Sequence, residues 1–346
     1  YAVPSPWLPP PLPARLHRSA QVEDRLHAVI ERVLRRRGWT PRVLPYVGYG
    51  TDGWVRVLCR VLLTPPGTGR RDIERGRGWR RFFCATANGV PVTIDIGGVR
   101  HTVRSGRGGY VDDVVDVRLP AGWATARLSL PGGASADAAI RVVSPTARIG
   151  LVSDIDDTVV ITAMPRPLVA LWNTMLLPES SRRAVPGMAD LYGSVLAADP
   201  DGFAVYVSTG AWNVAPALSD FLARHGLPRG PLLLTDWGPT HDAWFRSGRE
   251  HKRTQLLRLM AELPQLTWVF AGDDGQHDPD LYAEAVAACP GRVRMVLIRQ
   301  LTAAQQVLTH GTPEPLPEKK TPRPAVPELR GPDGFALMER VASLRS

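Results

Sequence analysis

Two kinds of hydrophobic pattern in one chain predict two kinds of domain: a β-sandwich, then an α/β domain built on a doubly wound parallel sheet. The first expectation rests on residues 54–145, where short alternating runs such as "VPVTIDI" and "YVDDVVDVRL" are separated by turns containing Gly and Pro. The second rests on the runs "RIGLVS", "FAVYVS", "PLLLT", "LTWVFAG" and "RVRMVLI", apolar without alternation, interleaved with helical patterns at 187–198, 213–225, 250–263 and 279–288. Parallel strands buried on both faces read this way. A length of 346 residues accommodates both domains, and 44% hydrophobic with 22% charged residues is the composition of a globular chain.

Taken in order, residues 1–53 hold a Pro-rich start, "YAVPSPWLPPPLP", and one basic amphipathic helix. Val22, Leu26, Val29, Ile30, Val33 and Leu34 recur at helical spacing behind a Ser19 cap, and the pattern ends in Arg35–Arg37 before Gly38. The β-sandwich follows over 54–145, with "SPTAR" at 144–148 as a junction. The α/β domain is expected over 146–311, and residues 312–346 read as a Pro-rich linker before a short helix. No run approaches the ~18 apolar residues of a membrane span, and the start lacks the apolar core of a signal peptide. Three cysteines, Cys59, Cys84 and Cys289, are spaced too irregularly for a zinc site or a disulfide framework. A cytoplasmic location is the expectation.

The net charge of +9 is unevenly placed. Residues 1–145 carry 22 basic against 11 acidic side chains, whereas residues 146–346 carry 20 against 22. A basic first half beside a nearly neutral second half fits an anionic membrane surface, which would make the protein peripheral there; an Arg-rich solvated face is the plainer reading. Nucleic acid is the less favoured partner. P-loop, H-E-x-x-H and G-x-S-x-G motifs are absent, which removes the usual support for an NTPase, a zincin or a serine hydrolase of those types.

Chemistry-bearing residues gather at the strand ends, where ligands of open α/β sheets bind. "LVSDIDDTVV" (151–160) places Asp154, Asp156 and Asp157 in four positions before Thr158. Carboxylates this close repel one another, so the cluster requires a compensating cation. Helix capping is the bland alternative. Ser208-Thr209-Gly210 and Gly272-Asp273-Asp274 stand after two other strand runs. Lys252 is distinctive by composition: the chain has 39 Arg but three Lys, and Lys319 and Lys320 lie in the linker. An ammonium is a compact point charge suited to a tight anionic site. Asp278 before Pro279 fits either a helix cap or a supporting role at the site.

With those residues in view, "DIDDT" resembles the D-x-D-x-T signature of the haloacid dehalogenase superfamily of phosphohydrolases. More closely, "SDIDDTVV", "YVSTGAWN", "LTDWG", "HK" and "GDDGQHDPDLY" resemble the catalytic domain of the actin-patch-associated phosphatidate phosphatases and their bacterial relatives. The resemblance implies a Mg²⁺-dependent phosphomonoesterase. Asp154 would be the nucleophile that forms an aspartyl-phosphate, and Asp156 the general acid and base, a task that calls for an elevated pKa. Lys252, with Ser208 and Thr209, would hold the phosphoryl group. Asp154, Asp156 (through its carbonyl) and Asp273 would bind Mg²⁺, with Thr158, Asp274 and Asp278 in support. An insertion at 160–186, with Leu168, Leu171, Trp172 and Met175 at helical spacing, would form a small flap over the site or pack on the domain. Thr209-Gly210 and Asp274 depart from the expected pattern and bear on the phosphate pocket. The implied substrate is phosphatidate or a related lipid phosphate; a soluble phosphate ester is the runner-up, and a binding scaffold with a vestigial site the third reading.

Overall fold

The computed structural model describes residues 28–67, 85–161, 183–235, 241–314 and 326–344, with the side chains of 241–247 outside that set. Most of the expected flap and of the linker therefore lies outside the described residues. The chain divides into two compact units at Pro145/Thr146, inside the "SPTAR" segment.

The first unit carries a nine-stranded sheet. Its strands are β1 (Thr40–Pro45), β2 (Gly48–Gly50), β3 (Trp54–Thr64), β4 (Ala85–Thr86), β5 (Pro91–Ile96), β6 (Val99–Arg104), β7 (Tyr110–Asp116), β8 (Gly122–Ser129) and β9 (Ser135–Val142). Pairing is antiparallel except between β2 and β9. Alternation decides which side chains are buried: Val92, Ile94 and Ile96 on β5 join Ala136, Ala138, Ile140 and Val142 on β9 in one apolar cluster. The sheet begins at Thr40, ahead of the boundary at residue 54 expected from the sequence. "TPRVLP" holds two prolines, which demote a strand pattern, yet β1 is an edge strand, where a missing N–H is tolerated. Residues 28–36 form a helix whose Leu34 packs on the same cluster.

The second unit is organised around a six-stranded sheet in which every neighbouring pair is parallel. After β10 (Ile149–Ser153), a two-stranded ribbon of β11 (Val160–Ile161) and β12 (Arg183–Ala184) precedes β13 (Phe203–Ala211), β14 (Leu232–Thr235), β15 (Thr267–Asp273), β16 (Val293–Arg299) and β17 (Glu328–Gly331). Their order is β14-β13-β10-β15-β16-β17. The chain thus builds outward from β10 to one edge, then returns to continue from its other side. The crevice at such a reversal, beyond the strands' carboxyl ends, is where ligands bind.

Gly150 on β10 lets the indole of its in-register neighbour Trp268 on β15 lie across it: a Cβ at residue 150 would stand 2.4 Å from the ring. The sixth strand corrects the expectation of a plain linker and helix over 312–346. "ELRG" has no apolar run and is flanked by Pro327 and Pro332, so it lacks a strand signal, but as an edge strand it needs little burial. The Gly334–Ser343 helix follows it, capped by Asp333, whose carboxylate accepts from Ala336 N at 2.9 Å, and packs against the Met188–Leu196 helix.

Candidate active site

Adjacent strand ends bring the acidic residues together. Asp154 N donates to Ala271 O at 2.9 Å, which extends the β10–β15 ladder one residue past β10 and sets Asp154 beside the end of β15. Ser153 is held from behind: its hydroxyl lies 2.5 Å from the Asp154 carbonyl and 2.7 Å from the Tyr192 hydroxyl. Asp273 closes β15, and its Oδ1 accepts from Gly275 N at 2.8 Å. Asp278 opens the Asp278–Ala288 helix. His277 is the N-cap residue, so the capping role considered for Asp278 is not the one observed.

Oxygens of Asp154, Asp273 and Asp278 lie within 4.8 Å of one another, all three carboxylates buried. Lys252, from the His241–Glu262 helix, stands between two of them, with Nζ 2.8 Å from Asp154 Oδ1 and 2.7 Å from Asp278 Oδ1. Each carboxylate keeps a second oxygen, Oδ2, that is buried and has no hydrogen-bond partner. Gly272 makes this convergence possible: a Cβ there would sit 2.6 Å from Asp278 Oδ2 and 2.8 Å from the Tyr282 ring.

The electrostatics follow from that crowding. Burial pushes the Asp154 carboxyl well above the ordinary range; Lys252 opposes the shift, and the charges of Asp278 and Asp156 add to it. Burial likewise raises Asp273, reinforced by Asp278, Asp154 and Asp157. For Lys252 burial works against the charged form, but Asp154 and Asp278 more than offset it and its pKa rises. One ammonium thus faces three buried carboxylates. The orphaned Oδ2 atoms are hard oxygen donors of the kind a divalent cation takes.

The other expected residues take varied positions. Asp156 is half-buried, and its Oδ2 accepts a hydrogen bond from the Ser208 hydroxyl at 3.2 Å. Ser208 is fully buried and its Oγ also accepts from Gly210 N at 2.9 Å. Thr209 is half-buried and contributes its carbonyl to the Thr235 hydroxyl at 2.8 Å. The Thr158 hydroxyl is buried and unpartnered. Asp274 holds framework: Oδ1 accepts from Leu301 N and Gln306 Nε2, each at 2.8 Å. Sequence reasoning did not single out Gln306, Thr309 or Arg299, which reach this region from beyond the last motif and carry no spacing signal.

Residues 149–300 match the family described as the phosphatidate phosphatase APP1 catalytic domain. An uncharacterized protein of Schizosaccharomyces pombe is 27% identical over 154 residues, which cover 44% of this chain and 25% of that protein. The phosphatidate phosphatase APP1 of Saccharomyces cerevisiae is 24% identical over 153 residues, covering 44% and 26%. The chain therefore spans about a quarter of the length of these curated relatives. A carbohydrate acetylesterase from Xanthomonas citri aligns over 76% of this chain and 68% of its own at 10% identity, with a TM-score of 0.28 that carries no argument. The similarity over residues 149–300 is to a phosphatase catalytic domain.

Proposed function

We propose that the second unit is a Mg²⁺-dependent phosphomonoesterase of the haloacid dehalogenase type, acting through an aspartyl-phosphate on phosphatidate or a closely related lipid phosphate. The observation that carries the reading is the contact of Lys252 with Asp154 at 2.8 Å inside a buried cluster that also holds Asp273 and Asp278. Similarity of residues 149–300 to a phosphatidate phosphatase catalytic domain supports the lipid substrate.

In this mechanism an Asp154 oxygen attacks phosphorus and the P–O bond to the alcohol breaks. Asp156 gives its proton to the leaving alkoxide. In the second step Asp156 takes a proton from water as that water attacks phosphorus, which releases phosphate and regenerates the Asp154 carboxylate. The Ser208 hydroxyl orients Asp156 for both transfers. Lys252 holds Asp154 in place and balances the phosphoryl charge. Asp154, Asp273 and Asp278 would hold Mg²⁺, joined by the Asp156 carbonyl that the resemblance adds. When bound, the ion neutralises phosphoryl oxygens and lessens repulsion among the carboxylates.

A peripheral position at an anionic, cytoplasmic membrane surface belongs to the same proposal. On the helix at 28–36, Val29, Ile30 and Val33 are exposed large apolar side chains, and Arg32, Arg36 and Arg37 are exposed beside them. Arg35 pairs with Glu31 at 2.8 Å, which removes part of the positive field. Among the described residues no helix is long and apolar enough to cross a membrane.

The test is phosphate release across liposomal phosphatidate and soluble phosphate esters, after EDTA treatment and again with Mg²⁺. The proposal expects activity on the liposomes that EDTA abolishes and Mg²⁺ restores. Preference for a soluble ester would overturn the lipid assignment, and full activity in chelated buffer the metal.

A further inference from the structure

The turn that carries the acidic cluster contains Asp157, which is the non-glycine residue with positive φ (55°) among the described residues. An L side chain in the left-handed region is disfavoured, and Asp tolerates it better than most, so such a residue persists when its surroundings over-determine it. Asp157 N donates to Val160 O at 2.8 Å, and the Thr309 hydroxyl lies 3.4 Å from Asp157 Oδ2. The remaining backbone group, the Asp157 carbonyl, accepts from Arg299 Nη1 at 2.7 Å across 142 residues of sequence.

Arg299 is buried at the end of β16, in register with Asp273 on one side and Gly331 on the other. Its carbonyl accepts from Asp274 N at 3.1 Å. The rest of its guanidinium is committed as well: Nε donates to Pro332 O at 3.1 Å and Nη2 to Gln305 Oε1 at 3.2 Å. One planar fork therefore ties the turn holding Asp154 and Asp156 to the helix at Ala303–His310 and to the segment after β17. Two of those partners lie beyond residue 300, where the catalytic-domain match ends. An ammonium on a flexible stem cannot reproduce three donors in fixed geometry.

We propose that Arg299 is a positioning residue of the active site: it locks the left-handed turn at Asp157, and through that turn the placement of the Asp154 and Asp156 carboxyls, against the C-terminal segment. The kinetic arm of the test rests on the phosphatase reading; the exchange arm does not.

Hydrogen–deuterium exchange of the full chain, with and without Arg299→Lys, reads the turn directly. Peptides spanning 154–160 should exchange about tenfold faster in the variant while those from β10, β13 and β15 keep their protection. With Mg²⁺ and liposomal phosphatidate, kcat should fall about 10- to 100-fold with KM within about threefold, since misplaced carboxyls impair the chemical step rather than binding. Unchanged exchange at 154–160, acceleration spread over the whole sheet, or a kcat within threefold of wild type would overturn the proposal. Should Arg299→Lys fail to fold, the wild-type chain decides: with rising sub-denaturing urea, peptides of 154–160 must open together with those of the Ala303–His310 helix that Arg299 ties to the turn, and opening of that helix while 154–160 stays protected overturns the proposal. If the wild-type protein releases no phosphate from any ester, the functional reading fails and the exchange arm still decides the role of Arg299.

Discussion

Replacing Lys252 by Met removes the ammonium between Asp154 and Asp278 and keeps most of its stem. Asp154 and Asp278 then lose their cation at 2.7–2.8 Å, and a third buried carboxylate, Asp273, remains within 4.8 Å of both. Breaking a buried ion pair from one side costs about 3–5 kcal/mol, a large share of the 5–15 kcal/mol that a folded domain has in total. The loss must depend on pH. Without Lys252 the carboxyls of Asp154 and Asp273, already raised by burial, lose the cation that opposes the shift and rise even further above the unfolded value, so their contribution is present below that value, near 4, and is lost as pH rises. The penalty should therefore be small near pH 4 and grow toward pH 7.5. Urea unfolding in metal-free buffer, fitted with one transition per unit, measures it; at about 2 kcal/mol per M the midpoint of the second unit should fall by roughly 2 M at pH 7.5. A shift below about 0.5 M, or one equal at pH 5 and 7.5, would refute the claim that Lys252 compensates ionised neighbours.

Two further perturbations probe the same unit. His251, whose Nε2 lies 3.3 Å from Leu233 O, has its pKa pushed down to about 4 by burial, helped by Arg258 and Lys252. The unfolded chain then binds the extra proton between pH 4 and 6.5, so stability falls as pH drops through that window, by at most about 3 kcal/mol; His251→Gln should flatten this part of the urea-midpoint profile, and an unchanged slope would remove His251 as its source. Gly272→Ala puts a methyl 2.6 Å from Asp278 Oδ2, so it should cost about 1–3 kcal/mol and at least tenfold in phosphate release. A variant matching wild type in both would show that Asp278 does not need that approach.

What was legible in the sequence was what short-range pattern encodes. The unalternated runs overlap β10, β13, β14, β15 and β16, and Asp154, Asp156, Asp273 and Lys252 stood out by spacing and by the scarcity of lysine. The edge strands β1 and β17 were not legible, because they hold or adjoin prolines and bury little, so nothing in their residues distinguishes them from linker, whereas the apolar edge strand β14 was. Asp278 was ambiguous because an Asp before Pro fits a helix start in any protein; its contact with Lys252 arises when the His241–Glu262 and Asp278–Ala288 helices pack together. Arg299 was invisible among 39 arginines, since its role depends on partners 142 residues upstream and 33 downstream.

The central claim is that Asp154 is the nucleophile of a phosphatase, and trapping the covalent intermediate tests it most directly. The protein is mixed with phosphatidate labelled in its phosphate, quenched in acid within a turnover and digested for peptide mapping. The account predicts an acid-stable, hydroxylamine-labile label on the peptide containing Asp154, absent from Asp154→Asn. Label on another residue, or wild-type phosphate release by Asp154→Asn, would contradict it.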